Sequence, residues 1–147
     1  MGDYMIENFN GPIYLILFII LLLGNVFYAY CTLINTKNWL DKYGTHHSAV
    51  LITRILGSLI SGFVLIGIYI LFTGTEGTWA YFATMFIGFV IMSIIGIHFV
   101  EVDYPNNYKD KEGFENVVIT KEGYIPAIIF AIINAIIIYG LSDKIYA

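Results

Sequence analysis

The sequence predicts an all-α integral membrane protein, a four-helix bundle forming a single domain over residues 1–147, with both termini on the outer side. Three observations predict it. Hydrophobic residues make up 59% of the chain. Charged residues make up only 12%, against about 25% in an ordinary soluble domain. The apolar residues are also gathered into four blocks, each close to the roughly 20 residues a helix needs to cross about 30 Å of hydrocarbon.

The blocks run Pro12 to Leu33, Ala49 to Phe72, Trp79 to Val100 and Tyr124 to Leu141. The last is the shortest, yet it is uncharged and rich in isoleucine, including Ile128, Ile129, Ile132, Ile133, Ile136 and Ile137. A buried strand could have that composition but not that length. A helix also satisfies every backbone amide internally, as lipid requires.

Lys and Arg mark the cytoplasmic side. Lys37, Lys42, Arg54, Lys109, Lys111 and Lys121 fall in or beside the connections after the first and third spans. The opposite side has only Lys144. The predicted orientation therefore places both longer connections inside and both termini outside. Asp3 and Glu7 occupy the N-terminus without any basic residue, so the first span is expected to be retained rather than cleaved as a signal peptide.

The connection from Ile34 to Ser48 holds Trp39 and Tyr43 among polar residues, which suits an amphipathic turn at headgroup level. The inner segment Glu101 to Gly123 is too small for a core of its own and must lean on the bundle or on a partner. Within it, Val117 to Thr120 reads as a short strand. The turn Thr73 to Thr78 makes the second and third spans antiparallel neighbours.

Several function classes are excluded or disfavoured. A net charge of −4 with seven basic residues gives no basic patch for nucleic acid. There is no phosphate-cradling glycine loop, nucleophile elbow or Cys-x-x-Cys. The halves show no sequence repeat, the usual pointer to a secondary transporter. One cysteine, Cys31, permits no internal disulfide. Most of the tyrosines and tryptophans fit interfacial belts.

Polar residues inside the spans are the functional candidates. Asn25 and Asn134 lie near the middle of the first and fourth spans, where a clasp between their amides is the expected arrangement. Arg54 enters the second span from the inner surface and either snorkels to lipid phosphate or pairs with Glu101 or Asp103. A spacing-of-four stripe of mostly small residues runs Ala80, Thr84, Gly88, Met92 and Gly96, and another runs Ala127, Ala131 and Ala135. Such stripes are expected to be packing seams.

One constellation suits chemistry. His46, His47 and His98 all fall at the inner rim, and His98 shares a helix face with Glu101. Imidazole and carboxylate ligate zinc, iron or copper, so His98, Glu101 and His47 are the candidate metal ligands, or the neighbourhood of a haem. Ordinary interfacial histidines are the plainer reading. Three functions follow in order of expectation. First is a non-catalytic accessory or structural subunit of a larger membrane complex, partnered by the lipid bilayer and by other membrane subunits or copies of itself. Second is a redox or metalloenzyme subunit using that rim. Third is a small transporter or channel component.

Overall fold

The computed structural model describes residues 2–147, with side chains from Tyr4 onward. Seven α-helices occur in chain order. They are α1 (Gly2–Asn8), α2 (Pro12–Ala29), α3 (Thr36–Lys42), α4 (Val50–Thr73), α5 (Trp79–His98), α6 (Ile125–Gly140) and α7 (Ser142–Ile145). Four of them, with their flanking turns, are long and apolar enough to cross a membrane: Pro12–Ile34, His47–Thr73, Trp79–Tyr108 and Lys121–Gly140. These are the four predicted spans, with ends shifted by up to three residues except the third, which runs on from Val100 to Tyr108.

Two of the spans end in wide π-helical turns. After α2, the backbone of Tyr30–Ile34 widens so that Asn35 N–H reaches Tyr30 C=O at 3.0 Å. After α5, a π-helical run extends over Phe99–Tyr108 and contains Pro105. In α register the proline ring would press on the carbonyl four residues back, and the wider register relieves that contact. The segment expected to be an inner loop from Glu101 thus begins as helix. Its remainder is irregular up to a 3₁₀ turn at Lys121–Gly123, and no strand forms among the described residues. Val117 to Thr120, read as a strand, lacks a second strand to pair with. Its backbone tie to a distant part of the chain is Val118 N–H to Tyr43 C=O at 2.9 Å.

The core runs along α2, α5 and α6. Phe18 is fully buried and stacks on Phe9 at 4.9 Å and on Phe82 at 5.8 Å between ring centroids. Helix α5 packs on α6, α2 packs on both α4 and α6, and α3 folds back against α4. Glycines set the close approaches. A Cβ on Gly96 would lie 2.6 Å from the Gly123 carbonyl oxygen, and one on Gly57 would lie 2.7 Å from Thr32 Oγ1.

One end of the bundle gathers both termini and the α4–α5 turn. Thr75 Oγ1 donates to Asn8 C=O at 2.7 Å, Gly77 N–H to Lys144 C=O at 3.2 Å, and Lys144 Nζ to Glu7 C=O. Phe9 and Ile145 are fully buried there. The short helices α1 and α7 therefore cap the bundle instead of trailing from it. At the other end lie α3 and the two longer connections. Side chains facing away from the bundle are apolar as well: Leu51, Ile52, Leu65 and Ile94 are all more than 60% exposed. Such a surface suits hydrocarbon rather than water.

Candidate functional site: a lateral cleft roofed by the two longer connections

Asn25 and Tyr28, at i and i+3, stack along one side of α2, and Thr32 follows them in the π turn. Opposite them stand Leu56 and Ile60 of α4, Phe89 and Met92 of α5, and Pro126, Ala127 and Phe130 of α6. Together they enclose a cavity of about 310 Å³. Helices α4 and α5 are tied where Tyr81 O–H, in the first turn of α5, donates to Phe63 C=O near the middle of α4 at 3.2 Å. Further along they separate, and Leu56 and Met92 stay more than half exposed. The cavity therefore opens sideways between α4 and α5. Its floor is Phe130, lying against Phe89 at 5.3 Å between ring centroids. Gly24 admits that ring, since a Cβ there would come within 2.1 Å of Phe130 Cζ.

Helix α3 supplies the roof. The π turn before it turns the chain back, and Trp39 then sits edge-on to Phe27, Tyr28 and Tyr43, with centroids 6.2, 5.9 and 5.1 Å apart. Threonines hold the turn: Thr32 Oγ1 donates to Tyr28 C=O at 2.6 Å and Thr36 Oγ1 to Thr32 C=O at 2.8 Å. The connection between α5 and α6 locks on from above. Glu122 Oε2 accepts from Lys42 Nζ and from Tyr43 O–H, both at 2.7 Å. The hydrogen bond to Glu122, then that to Tyr43, holds the Lys42 ammonium above its usual pKa, while burial pushes the Tyr43 phenol up. Gly44 has φ +60 and lies so close to Asn116 that any Cβ would strike its carbonyl oxygen.

Three polar groups on this cavity have no hydrogen-bond partner among the described residues. They are the Tyr28 hydroxyl, the Trp39 indole N–H and the Asn25 carbonyl oxygen. Asn25 is only 8% exposed and uses one amide N–H on Leu21 C=O at 2.8 Å. Asn25 is buried and Tyr28 and Trp39 are half-buried, and open polar groups edging an apolar space are what a ligand site presents. Sequence reasoning singled out Asn25, and placed Trp39 in a headgroup-level turn without a site role, but passed over Tyr28 and Glu122. The i, i+3 spacing of Asn25 and Tyr28 on the first span was the available signal.

The structure separates the other predicted site residues. Asn25 and Asn134 do not clasp; the Asn134 amide donates instead to Phe82 C=O at 2.8 Å, and its Oδ1 is buried without a partner. Helix α6 presents Asn134 to α5, and Asn25 faces the cleft, so each amide donates to a backbone carbonyl instead. Arg54 pairs with neither Glu101 nor Asp103. Its Nε lies 3.4 Å from Thr36 Oγ1, and the side chain is otherwise exposed at the α3 end of the bundle. Glu101 accepts from Tyr124 O–H at 2.7 Å, and Asp103 meets His98 Nδ1 at 3.0 Å.

The candidate metal ligands likewise point to different partners. His47 Nε2 lies 2.7 Å from Asp41 Oδ1, and His46 Nδ1 lies 3.0 Å from Ser48 Oγ. His98, Glu101 and His47 are not drawn into one cluster. Among the described residues, no three His, Cys, Asp or Glu side chains are grouped as metal ligands would be. Cys31 is buried beside the π turn.

Fold and site together define an all-helical protein with four helices long and apolar enough to span a membrane and a polar-edged cleft at one end, an architecture compatible with a multi-pass membrane protein. No family model, curated protein or solved structure matches the chain.

Proposed function

We propose that this chain is a multi-pass membrane protein serving as a non-catalytic accessory or structural subunit, which docks through its lipid-facing surfaces against other membrane helices. Those helices belong to a larger complex or to a second copy of this chain. The support lies in where the glycines sit. Gly57, Gly67, Gly96 and Gly140 each lie against a neighbour that a Cβ would strike. Gly62 and Gly88 have nothing within 4 Å. A glycine inside a helix costs about 0.5–1 kcal/mol relative to alanine. Between membrane helices the return is close backbone approach, which these two glycines do not obtain within the chain. Exposed Ser58 and Thr84, each one turn away, continue the same low-profile faces.

The distribution of lysines supports placing α3 and both long connections in the cytoplasm or its equivalent. Amine labelling of intact and opened vesicles tests this: Lys37 and Lys109 should react from the same side, and reaction from opposite sides overturns the orientation.

Native gel migration and native mass measurement in mild detergent test the docking. The chain should run with partners, and Gly62→Leu or Gly88→Leu should release it with its helix content unchanged. A solitary monomer under every mild condition overturns the reading. The redox alternative built on His98, Glu101 and His47 is tested by elemental analysis and an absorption spectrum, and no specific contact favours it.

A further inference from the structure

The glycines address partner helices; the cleft between α4 and α5 addresses something smaller. We propose that it is a binding site for an uncharged, single-chain lipid whose head carries both hydroxyl and carbonyl groups, of the glycerol-ester kind. The inference rests on the membrane reading above but not on the docking of other subunits.

The geometry constrains the ligand in three ways. A volume of about 310 Å³ is at the small end of ligand pockets and favours one chain over two. The lateral opening past Leu56 and Met92 leads to the apolar surface of the bundle, so a chain enters from hydrocarbon without crossing water. The polar groups are neutral and mixed in sense. Trp39 offers a donor, Asn25 an acceptor and a second amide hydrogen, and Tyr28 either role. A hydroxyl together with an ester carbonyl satisfies such a set, whereas a hydrocarbon leaves all three groups open.

Charge selects against anionic lipids. The two ionic groups at the roof, Lys42 and Glu122, are bonded to each other at 2.7 Å and offer no net charge to a phosphate. Arg54, Lys37 and Lys121 stand at this end of the bundle, but none of them lines the cavity. A carboxylate or phosphate head would therefore be desolvated against Glu122 with no cation among the lining residues to meet it.

The α3 roof gives the site a built-in reporter. Trp39 is in the wall and Trp79 is exposed at the opposite end of the bundle, so Trp79→Phe leaves a single cleft fluorophore. The experiment uses this full-length variant in nanodiscs, with a diazirine-bearing monoacylglycerol as probe and monoolein and lysophosphatidic acid as competitors. Saturable labelling should map by mass spectrometry to Ile60, Phe89, Met92 and Phe130, with a parallel saturable change in Trp39 emission. Monoolein should abolish it, and lysophosphatidic acid should not.

Tyr28→Phe removes one hydroxyl that bonds nothing in the protein. It should leave the fold intact and weaken binding roughly three- to tenfold, the range of one modest hydrogen bond. Labelling spread evenly over the lipid-facing helices, equal competition by the lysophosphatidic acid, or unchanged affinity in Tyr28→Phe would each overturn the proposal. The oligomeric state is read separately by native mass, so failure here and failure of the docking reading remain distinguishable.

Discussion

Gly96→Ala, compared with Gly88→Ala, isolates what close helix approach contributes to this bundle. Both glycines lie on α5, two turns apart, and both substitutions add the same methyl group to the same helix. The helix-propensity gain is therefore common to both, about 0.5–1 kcal/mol by the usual glycine-to-alanine difference. The surroundings differ. At Gly96 the new Cβ meets Gly123 O at 2.6 Å and Tyr124 Cβ at 2.8 Å, and at Gly88 it meets nothing within 4 Å.

The Gly123 atom is backbone, in the turn that also carries Glu122, so the clash cannot be relieved by a side-chain rotation. Overpacking of this kind costs about 1–3 kcal/mol. Gly88→Ala should thus be neutral to slightly stabilising in the isolated chain, and Gly96→Ala less stable than Gly88→Ala by about 1–3 kcal/mol. Unfolding by titration with a denaturing detergent, followed by circular dichroism, gives both values on one scale. A second readout follows from the geometry: shifting the Lys121–Gly123 turn should loosen the Lys42–Glu122 bond and alter Trp39 emission. Equal stability of the two variants would refute the packing of α5 on the start of α6.

Three further outcomes are expected. Phe18→Ala, at a fully buried ring with three aromatic neighbours, should destabilise by less than the roughly 3–5 kcal/mol typical of soluble cores, because lipid already solvates the unfolded ring; a loss above that range in the same titration would contradict lipid as the surrounding solvent. Asn134→Leu should be neutral or stabilising by up to about 2 kcal/mol, since a membrane hydrogen bond contributes about 0.6 kcal/mol on average while an orphaned buried carbonyl costs about 1–3 kcal/mol; clear destabilisation would mean that Oδ1 has a partner. Lys42 carries a folded pKa above its ordinary 10.5, so its contribution is complete below that value and is lost as pH rises through the folded pKa. An alkaline loss of stability that is absent in Lys42→Met would confirm the sign, and an identical pH profile in the variant would refute it.

The sequence by itself determined how many apolar helices there are and roughly where they end. Those properties depend on the length and polarity of contiguous segments, which are local quantities. It also indicated that Trp39 and Tyr43 belong to an amphipathic helical turn, because that pattern repeats within a few residues. Tertiary structure decided everything that depends on which helix faces meet. Asn25 and Asn134 looked like partners by depth alone, yet each found a backbone carbonyl closer at hand. Glu101 and Asp103 looked like partners for Arg54, but Tyr124 and His98 reach them first.

The cleft was not visible in sequence for the same physical reason. It is made where α4 and α5 diverge and where a π turn folds α3 back over α2, and neither the divergence nor the turn has a composition of its own. The short caps α1 and α7 were missed because helices that small are stabilised by the contacts of Phe9 and Ile145 with the bundle, not by their own residues.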